Sequence, residues 1–320
     1  MSDHSSTSKT ENQEIQILAH KDLSVTALYT AHCWYFAKFQ YAEFFISDQS
    51  KAVFDATNFA MKIASAFRRD LIDLPQGLAQ RHLLIDRLLD EILVHTTNAP
   101  VCVIEVACGL SQRGSDFRVN RQVDYYEIDL PHVIEHKKVC IEKLNQSLKD
   151  QDQDQSFSNR NFSNQSEQFL ISADLKDQWT FLDQIKSNLS QKYGDSVEYL
   201  LIAEGLWMYL DEKAQRDFLN QIRDFDKITL IFDLVPKIEQ PKPGMIGRLL
   251  GQLMRKFTKD SFVENLQTRE NLVQILKDFG FSEIQLFDCH LVAKTYQLPF
   301  ADTKTQQLIF KAKRTSNKNA

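Results

Sequence analysis

Hydrophobic and polar positions divide this chain into a helical first third and an alternating remainder. Between residues 24 and 95 the apolar residues recur every three or four positions, which predicts helices over 24–46, 51–70 and 76–95. After residue 100, short apolar runs alternate with amphipathic stretches. Strands that alternate with helices are typical of a parallel, doubly wound α/β sheet.

The apolar runs predict seven strands, and the last two have no predicted helix between them, as in a closing antiparallel hairpin. Amphipathic stretches predict helices from Pro131 to about 148, and over 177–191, 211–224 and 268–279. We therefore predict an α/β fold with a doubly wound, mostly parallel seven-stranded sheet. The predicted strands cover residues 101–106, 123–129, 169–173, 197–203, 228–234, about 283–291 and about 306–312.

Polar segments and one insertion interrupt this plan. The low-complexity stretch 150–165 predicts a mobile surface loop. The insertion at about 236–262 contains three prolines and an amphipathic stretch over 245–257, which we interpret as a helical lid. The predicted organisation is a disordered polar tail at 1–14, a helical cap at 15–98, a main domain at 99–313 and a second tail at 314–320.

The stretch that starts at Val101 has the form of a nucleotide-binding strand, turn and helix. An apolar run is followed by Gly109 and Gly114, and Asp129 lies 20 residues after Gly109, at the end of the next predicted strand. In such an arrangement the turn approaches the ligand and the acid accepts hydrogen bonds from ribose hydroxyls. The pattern G-x-G-x-x-G is absent, so the glycines alone also fit an ordinary turn in an α/β core.

Acids end four successive predicted strands, at Asp129, Asp174, Glu204 and Asp233. Ligands of open α/β sheets bind outside the carboxyl ends of the strands, so we expect these side chains to line one cleft. Carboxylates accept hydrogen bonds from ribose hydroxyls and amino groups, whereas they repel a pyrophosphate. The pattern favours S-adenosyl-L-methionine over NAD, although any single acid could be an incidental loop residue.

Five segments, in chain order, form a set of motifs. They are Arg81 with Ile85-Asp86, Val103 to Arg113, Tyr126 to Lys137, Ala173-Asp174-Leu175 with Trp179, and Glu204 to Leu210. The last reads E-G-L-W-M-Y-L and resembles the E-G-[LV]-x-x-Y-L element of the leucine carboxyl methyltransferase family, which includes O-methyltransferases of polyketide biosynthesis. The resemblance covers about 80–234 well, the N-terminal helices loosely and 236–262 poorly.

This resemblance implies a Rossmann-like, class I methyltransferase fold and S-adenosyl-L-methionine as the cofactor. It implies that Gly109 approaches the methionine part of the cofactor and that Asp129 holds the ribose. Arg81 would pair with the methionine carboxylate, a contact that suits a guanidinium group. The remaining implied roles are Asp174 and Leu175 around the adenine and Glu204 beside the methionyl amino group.

The glycine motif departs from the family pattern at two places. Ala107 replaces the first glycine, which is acceptable if its φ is negative. Ser111 and Gln112 stand where the family usually carries Asp-Thr. The missing Asp leaves open how the turn is hydrogen-bonded and how tightly the cofactor binds.

Methyl transfer needs a nucleophile held close to the methyl group, and a base only if the acceptor is an alcohol or phenol. Tyr209 is our catalytic candidate, and His32 and His290 are further candidates for a base. Each of the three could instead be a packed side chain. The expected reaction is methylation of a carboxylate, or a hydroxyl, of a small and partly apolar molecule.

Composition narrows the partners and the compartment. The formal charge of −5 argues against general nucleic-acid binding, and no apolar run is long enough to span a membrane. Five cysteines without a C-x-x-C pair predict reduced thiols and no metal site, in a cytoplasmic protein. The alternatives are a non-catalytic cofactor-binding protein and, with less support, an NAD(P)-dependent oxidoreductase.

Overall fold

The computed structural model describes most of the chain. The described residues are 23–67, 73–96, 99–121, 123–154, 168–175, 179–194, 196–234, 268–305 and 307–315. The tail predicted at 1–14 and the lid predicted at 236–262 lie outside them, as does most of the loop predicted at 150–165.

Among the described residues, three helices precede the sheet: α1 (Val25–Phe36), α2 (Asp48–Phe67) and α3 (Leu74–His95). Ser24 begins α1 because its side chain accepts a hydrogen bond from the backbone N–H of Ala27. The continuous helix predicted over 24–46 is wrong beyond Phe36. Lys38 and Tyr41 have φ values of 58° and 67°, which end a right-handed helix, and only a short 3₁₀ turn follows.

Seven strands form one sheet in the order β3-β2-β1-β4-β5-β7-β6. All neighbouring pairs among the first five strands of this order are parallel, and β7 is antiparallel to both β5 and β6. This confirms the predicted doubly wound, mostly parallel sheet. The strands are β1 (Val101–Val106), β2 (Asp124–Asp129), β3 (Gln168–Ser172), β4 (Glu198–Ala203), β5 (Ile228–Leu234), β6 (Glu283–Asp288) and β7 (Leu308–Arg314).

Helices connect the strands and cover both faces of the sheet. In the described ranges they are α4 (Arg113–Asn120), α5 (Pro131–Asp154), α6 (Thr180–Tyr193), α7 (Glu212–Gln221), α8 (Arg269–Asp278) and a single turn, α9 (Cys289–Val292). Helix α5 runs six residues beyond its predicted end at 148. The last two strands are not joined by a simple hairpin, because α9 and a further loop lie between them.

Two apolar clusters hold the sheet between its helices. On one face, strand residues such as Ile104 and Leu230 pack with α6, α7 and α8. On the other face, Val103 and Ile231 pack with Leu84 and Leu88 of α3. All five cysteines are free and buried, and no helix among the described residues is long and apolar enough to cross a membrane.

The helices before β1 lie over the turn that follows β1. Leu28 and Ala31 of α1 pack against Leu110 in that turn and against Val133 at the start of α5. The indole ring of Trp34 stacks on the imidazole of His82 in α3, with 4.2 Å between the ring centroids. The carboxyl edge of the sheet is therefore covered by α1.

Candidate functional site

Arg81 ties α3 to the ends of two neighbouring strands. Its Nε donates to Glu204 Oε1, directly after β4, and its Nη1 donates to Asp233 Oδ2 in β5, both at 2.9 Å. Among the described residues none accepts a hydrogen bond from Nη2, which lies 3.5 Å from the position that a Cβ on Gly205 would take. Within the described part of the chain, Nη2 is therefore the candidate donor of this guanidinium group to a ligand.

Arg113, the first residue of α4, gathers a second set of acids. Nη1 donates to Glu105 in β1 at 2.6 Å, Nη2 donates to Glu204 Oε2 at 2.7 Å, and Nε pairs with Asp86 of α3. The Arg113 side chain is fully buried. Buried ions are stable only when paired, so these contacts fix the relative positions of α3, β1, α4 and the end of β4.

Burial and charge act in opposite directions on the acids of this group. For Glu204, burial alone would raise the pKa, but His82, Arg113 and Arg81 together hold it well below its usual range. For Asp233 and Glu105, burial dominates over the neighbouring guanidinium groups and raises the pKa above its usual range. Glu204 is therefore the carboxylate that stays charged most firmly.

Asp129 organises the turn after β1. Its Oδ2 accepts a hydrogen bond from the backbone N–H of Gly109, and its Oδ1 accepts one from Leu130, both at 2.7 Å. Burial raises its pKa above the usual range of an aspartate, although the two N–H groups act in the opposite direction. The structure thus brings Asp129 and Gly109 together, as a ribose-binding acid beside a ligand-facing turn requires.

The two departures from the motif have different outcomes. An alanine at position 107 was expected to be acceptable only with a negative φ. The φ of Ala107 is 53°, so its backbone lies in the left-handed region, which disfavours residues with a Cβ. Ser111 supplies the hydrogen bonding that the missing Asp left open. Its Oγ accepts from the N–H of Arg113 at 3.1 Å, as the carboxylate of an Asp would do.

A second buried ion pair lies between α5 and β2, the strand beside β1. Lys137 Nζ in α5 lies 2.5 Å from Glu127 Oε1 in β2, and both side chains are fully buried. Gln168 Nε2 of β3 donates to the other oxygen of Glu127 at 2.5 Å. A Cβ on Gly114 would lie 2.5 Å from the Glu127 carboxyl group, so only glycine lets α4 approach it.

The remaining predicted residues lie at other positions in the fold. Asp174 and Leu175 follow β3, and Leu175 is held by its carbonyl, which accepts from Trp179 Nε1 at 3.0 Å. Tyr209 lies in a 3₁₀ turn after β4 and is partly exposed. The two histidines lie in other contacts: His32 Nδ1 is 3.4 Å from Ser50 Oγ, and His290 Nδ1 is 3.2 Å from the carbonyl of Thr303.

Sequence reasoning did not assign a role to His82, Asp86, Glu105 or Arg113. The signal was present, because three of them interrupt apolar patterns. His82 and Asp86 fall within the apolar residues of α3, and Glu105 lies inside the apolar strand β1. A charged residue within a buried pattern requires a partner, but the pattern does not identify which one.

The sheet order, the antiparallel last strand and the acids at the carboxyl edge define a Rossmann-like methyltransferase fold. The sequence matches the model of the family described as leucine carboxyl methyltransferase over residues 36–223, more than half of the chain. This chain therefore belongs to the leucine carboxyl methyltransferase family. Membership confirms the predicted family, the class of enzyme, a methyltransferase, and the cofactor, S-adenosyl-L-methionine. Among curated proteins, none matches the sequence significantly.

Solved structures with a similar fold have low sequence identity to this chain. A candidate O-methyltransferase from Nostoc punctiforme is 17% identical, with a TM-score of 0.45, over 75% of this chain and 57% of that protein. This chain thus corresponds to just over half of the Nostoc protein. Magnesium protoporphyrin IX methyltransferase from Synechocystis, with bound S-adenosylhomocysteine, is 12% identical, with a TM-score of 0.42, over 80% of this chain and 96% of that one.

Proposed function

We propose that the protein methylates a carboxylate, or with less support a hydroxyl, of a small and partly apolar molecule. In this proposal Gly109, Asp129, Asp174 and Leu175 hold the methionine, ribose and adenine parts of S-adenosyl-L-methionine. Arg81 pairs with the methionine carboxylate, and Glu204 lies beside the methionyl amino group. These residues follow β1, β2, β3 and β4 or face them from α3.

One observation carries the proposal: Asp129 and the two acids that Arg81 binds lie at the same edge of the sheet, on opposite sides of β1. Asp129 holds the N–H of Gly109 from the β2 side, while Arg81 binds acids at the ends of β4 and β5 from the other side. A carboxylate for hydroxyl groups, and a guanidinium group whose Nη2 has no acceptor among the described residues, match the ribose and the carboxylate of the cofactor. The available donors and acceptors thus fit this molecule.

A carboxylate acceptor is favoured because the candidate bases are engaged in other contacts. The bound cofactor supplies an electrophilic methyl group on a sulfonium, and a carboxylate attacks it without prior loss of a proton. His32 lies in the cap beside Ser50, and His290 faces the carbonyl of Thr303. Tyr209, the catalytic candidate, would then orient the acceptor rather than deprotonate it.

The apolar part of the acceptor is inferred from the aromatic side chains of the cap. Trp34 and Phe39 stack on His82, at 4.2 and 5.4 Å between ring centroids, directly above the Glu204 contacts. Aromatic faces of this kind bind flat or apolar groups.

The proposal is tested by calorimetric titration with S-adenosylmethionine, S-adenosylhomocysteine and NADH. We expect binding of the first two and none of NADH. Asp129→Ala should weaken the binding of S-adenosylmethionine and of S-adenosylhomocysteine by about tenfold or more, because it removes charge-assisted hydrogen bonds to the ribose. Asp90→Asn is a matched control, since this carboxylate pairs with Arg121 at the surface.

Transfer of a labelled methyl group to a panel of small acids and phenols then separates the remaining possibilities. Turnover with acids would support carboxyl methylation, and turnover with phenols alone would favour the hydroxyl. Binding without any turnover would favour a non-catalytic protein. Binding of NADH alone would reject the proposal.

A further inference from the structure

Gln112 and His82 form a buried polar pair beside the turn after β1. His82 is fully buried and Gln112 is 4% exposed. The Nε2 atoms of the two side chains lie 3.4 Å apart. The pair joins α3 to the residue that precedes α4, where the family usually carries a threonine.

The contacts of His82 fix the roles of its two ring nitrogens. Arg113 Nη2 donates to Glu204 Oε2 at 2.7 Å, and it also lies 2.8 Å from His82 Nδ1 and 3.2 Å from the His82 carbonyl. Because His82 Nδ1 is 2.9 Å from the carboxylate oxygen Glu204 Oε2, which can only accept, Nδ1 carries the ring hydrogen and donates it to Glu204. His82 Nε2 is then the acceptor for the amide N–H of Gln112.

This assignment leaves the amide oxygen of Gln112 without a partner. Gln112 Oε1 is buried, and no donor among the described residues reaches it. An unpaired buried carbonyl of this kind costs free energy, so a donor from a ligand would stabilise it. Because Gln112 lies three residues after Gly109, that ligand group belongs to the methionine part of the cofactor if the proposed function is correct.

The surrounding charges favour a cationic donor. Four carboxylates, those of Asp86, Glu105, Glu204 and Asp233, contact only two guanidinium groups, those of Arg81 and Arg113. The four carboxylates exceed the two guanidinium groups by two negative charges. Glu204 already accepts from Arg81, Arg113 and His82, so a further oxygen is needed to bind an ammonium group.

We propose that Gln112 Oε1 accepts a hydrogen bond from the methionyl ammonium group of S-adenosylmethionine. Glu204 then acts as a positioning residue that holds Arg81, Arg113 and His82 around it. This inference rests on the proposed function and adds a specific contact to it. Gln112 selects the amino group, whereas Asp129 and Arg81 bind other parts of the cofactor.

The test compares two ligands by calorimetry: S-adenosylhomocysteine and its analogue without the amino group. Gln112→Met keeps the length and burial of the side chain and removes the amide oxygen. We expect this substitution to weaken the binding of S-adenosylhomocysteine by about tenfold or more and to leave the binding of the analogue almost unchanged. Only the first ligand loses a hydrogen bond from a charged group. Gln112→Glu retains an acceptor and should restore most of the selectivity.

Gln215→Met is the matched control. Gln215 is also fully buried, donates to the carbonyl of Leu210, and has an unpaired amide oxygen, but it lies on α7. If Gln112→Met loses the same affinity for both ligands, or loses affinity for neither, the inference is overturned. The proposed function still stands in that case, provided that the wild type binds the cofactor. If the wild type binds neither S-adenosylmethionine nor S-adenosylhomocysteine, both proposals fail.

Discussion

The backbone at Ala107 has a conformation that costs free energy because the residue carries a Cβ. It has a φ of 53° directly after β1, a conformation that disfavours an L-residue by about 1–2 kcal/mol. Its strand and its turn are determined by other residues, chiefly by Asp129, which binds the N–H of Gly109. The backbone therefore retains the conformation that suits glycine although the side chain is present.

We expect Ala107→Gly to raise the free energy of unfolding by about 0.5–1 kcal/mol. The relief of backbone strain is partly offset by the larger entropy that glycine loses on folding. Urea unfolding followed by circular dichroism measures the difference. Ala79→Gly, in the middle of α3, should have the opposite sign, with a loss of about 1 kcal/mol. A destabilised Ala107→Gly variant would contradict this account of the turn.

Individual residues were predictable where their role follows from position along the chain. Asp129 and Glu204 come directly at the ends of strands, so their common edge followed from the strand pattern. The partners of Arg113 were not predictable, because Glu204 lies 91 residues away from it in sequence. Local patterns indicate that a buried charge needs a partner, whereas the fold alone determines which one.

At the scale of elements, α1 is the helix that connects the N-terminal region to the site. Its Trp34 is 4% exposed and stacks on His82, which in turn donates to Glu204. Its other buried residues pack against Leu110, in the turn after β1. The helix is therefore a wall of the candidate site as well as a covering for it.

We expect Trp34→Ala to lower the free energy of unfolding by about 3–5 kcal/mol, because a large cavity would replace the indole ring. Loss of the stacked ring should also increase the mobility of His82 and weaken the binding of S-adenosylhomocysteine. Chemical denaturation and calorimetry measure the two effects. Phe59→Ala on α2 is the control: its side chain is 68% exposed, and neither quantity should change appreciably.

The order of strands and helices was largely predictable, but several boundaries were not. Short apolar runs that alternate with amphipathic stretches identified all seven strands, and the run in β1 is mostly β-branched, as is typical of a buried parallel strand. The break in the predicted helix over 24–46 was missed, since Lys38 and Tyr41 are not residues that typically have positive φ. The length of α5 was also underestimated, because a polar stretch can continue a helix that is already anchored at its start.

At the scale of the whole molecule, Arg314 joins the end of the sheet to the helices on one face. It is the last residue of β7, and its guanidinium group donates to the carbonyls of Ile222, Phe225 and Phe279. These carbonyls follow α7 and α8, where helix ends leave acceptors unpaired. Arg314 therefore belongs to the folded domain, although the predicted tail began at this residue.

We expect Arg314→Ala to lower the free energy of unfolding by about 2–3 kcal/mol, because buried carbonyls would lose charge-assisted hydrogen bonds. Thermal and urea unfolding both report the change. Arg216→Ala serves as the control, since the ion pairs of this arginine with Glu212 and Asp278 are exposed and their loss should cost less than about 1 kcal/mol. Equal effects of the two substitutions would show that Arg314 does not fasten the helices.

The contacts of Arg81 also determine when the N-terminal helices can complete their folding during synthesis on the ribosome. Its two acids lie 123 and 152 residues later in the sequence. At about 5–20 residues per second, Asp233 is made roughly 8–30 s after Arg81. During that interval α3 carries a cation whose set of buried partners is incomplete. The nascent N-terminal helices therefore cannot reach their final packing and remain available to chaperones until β5 has emerged.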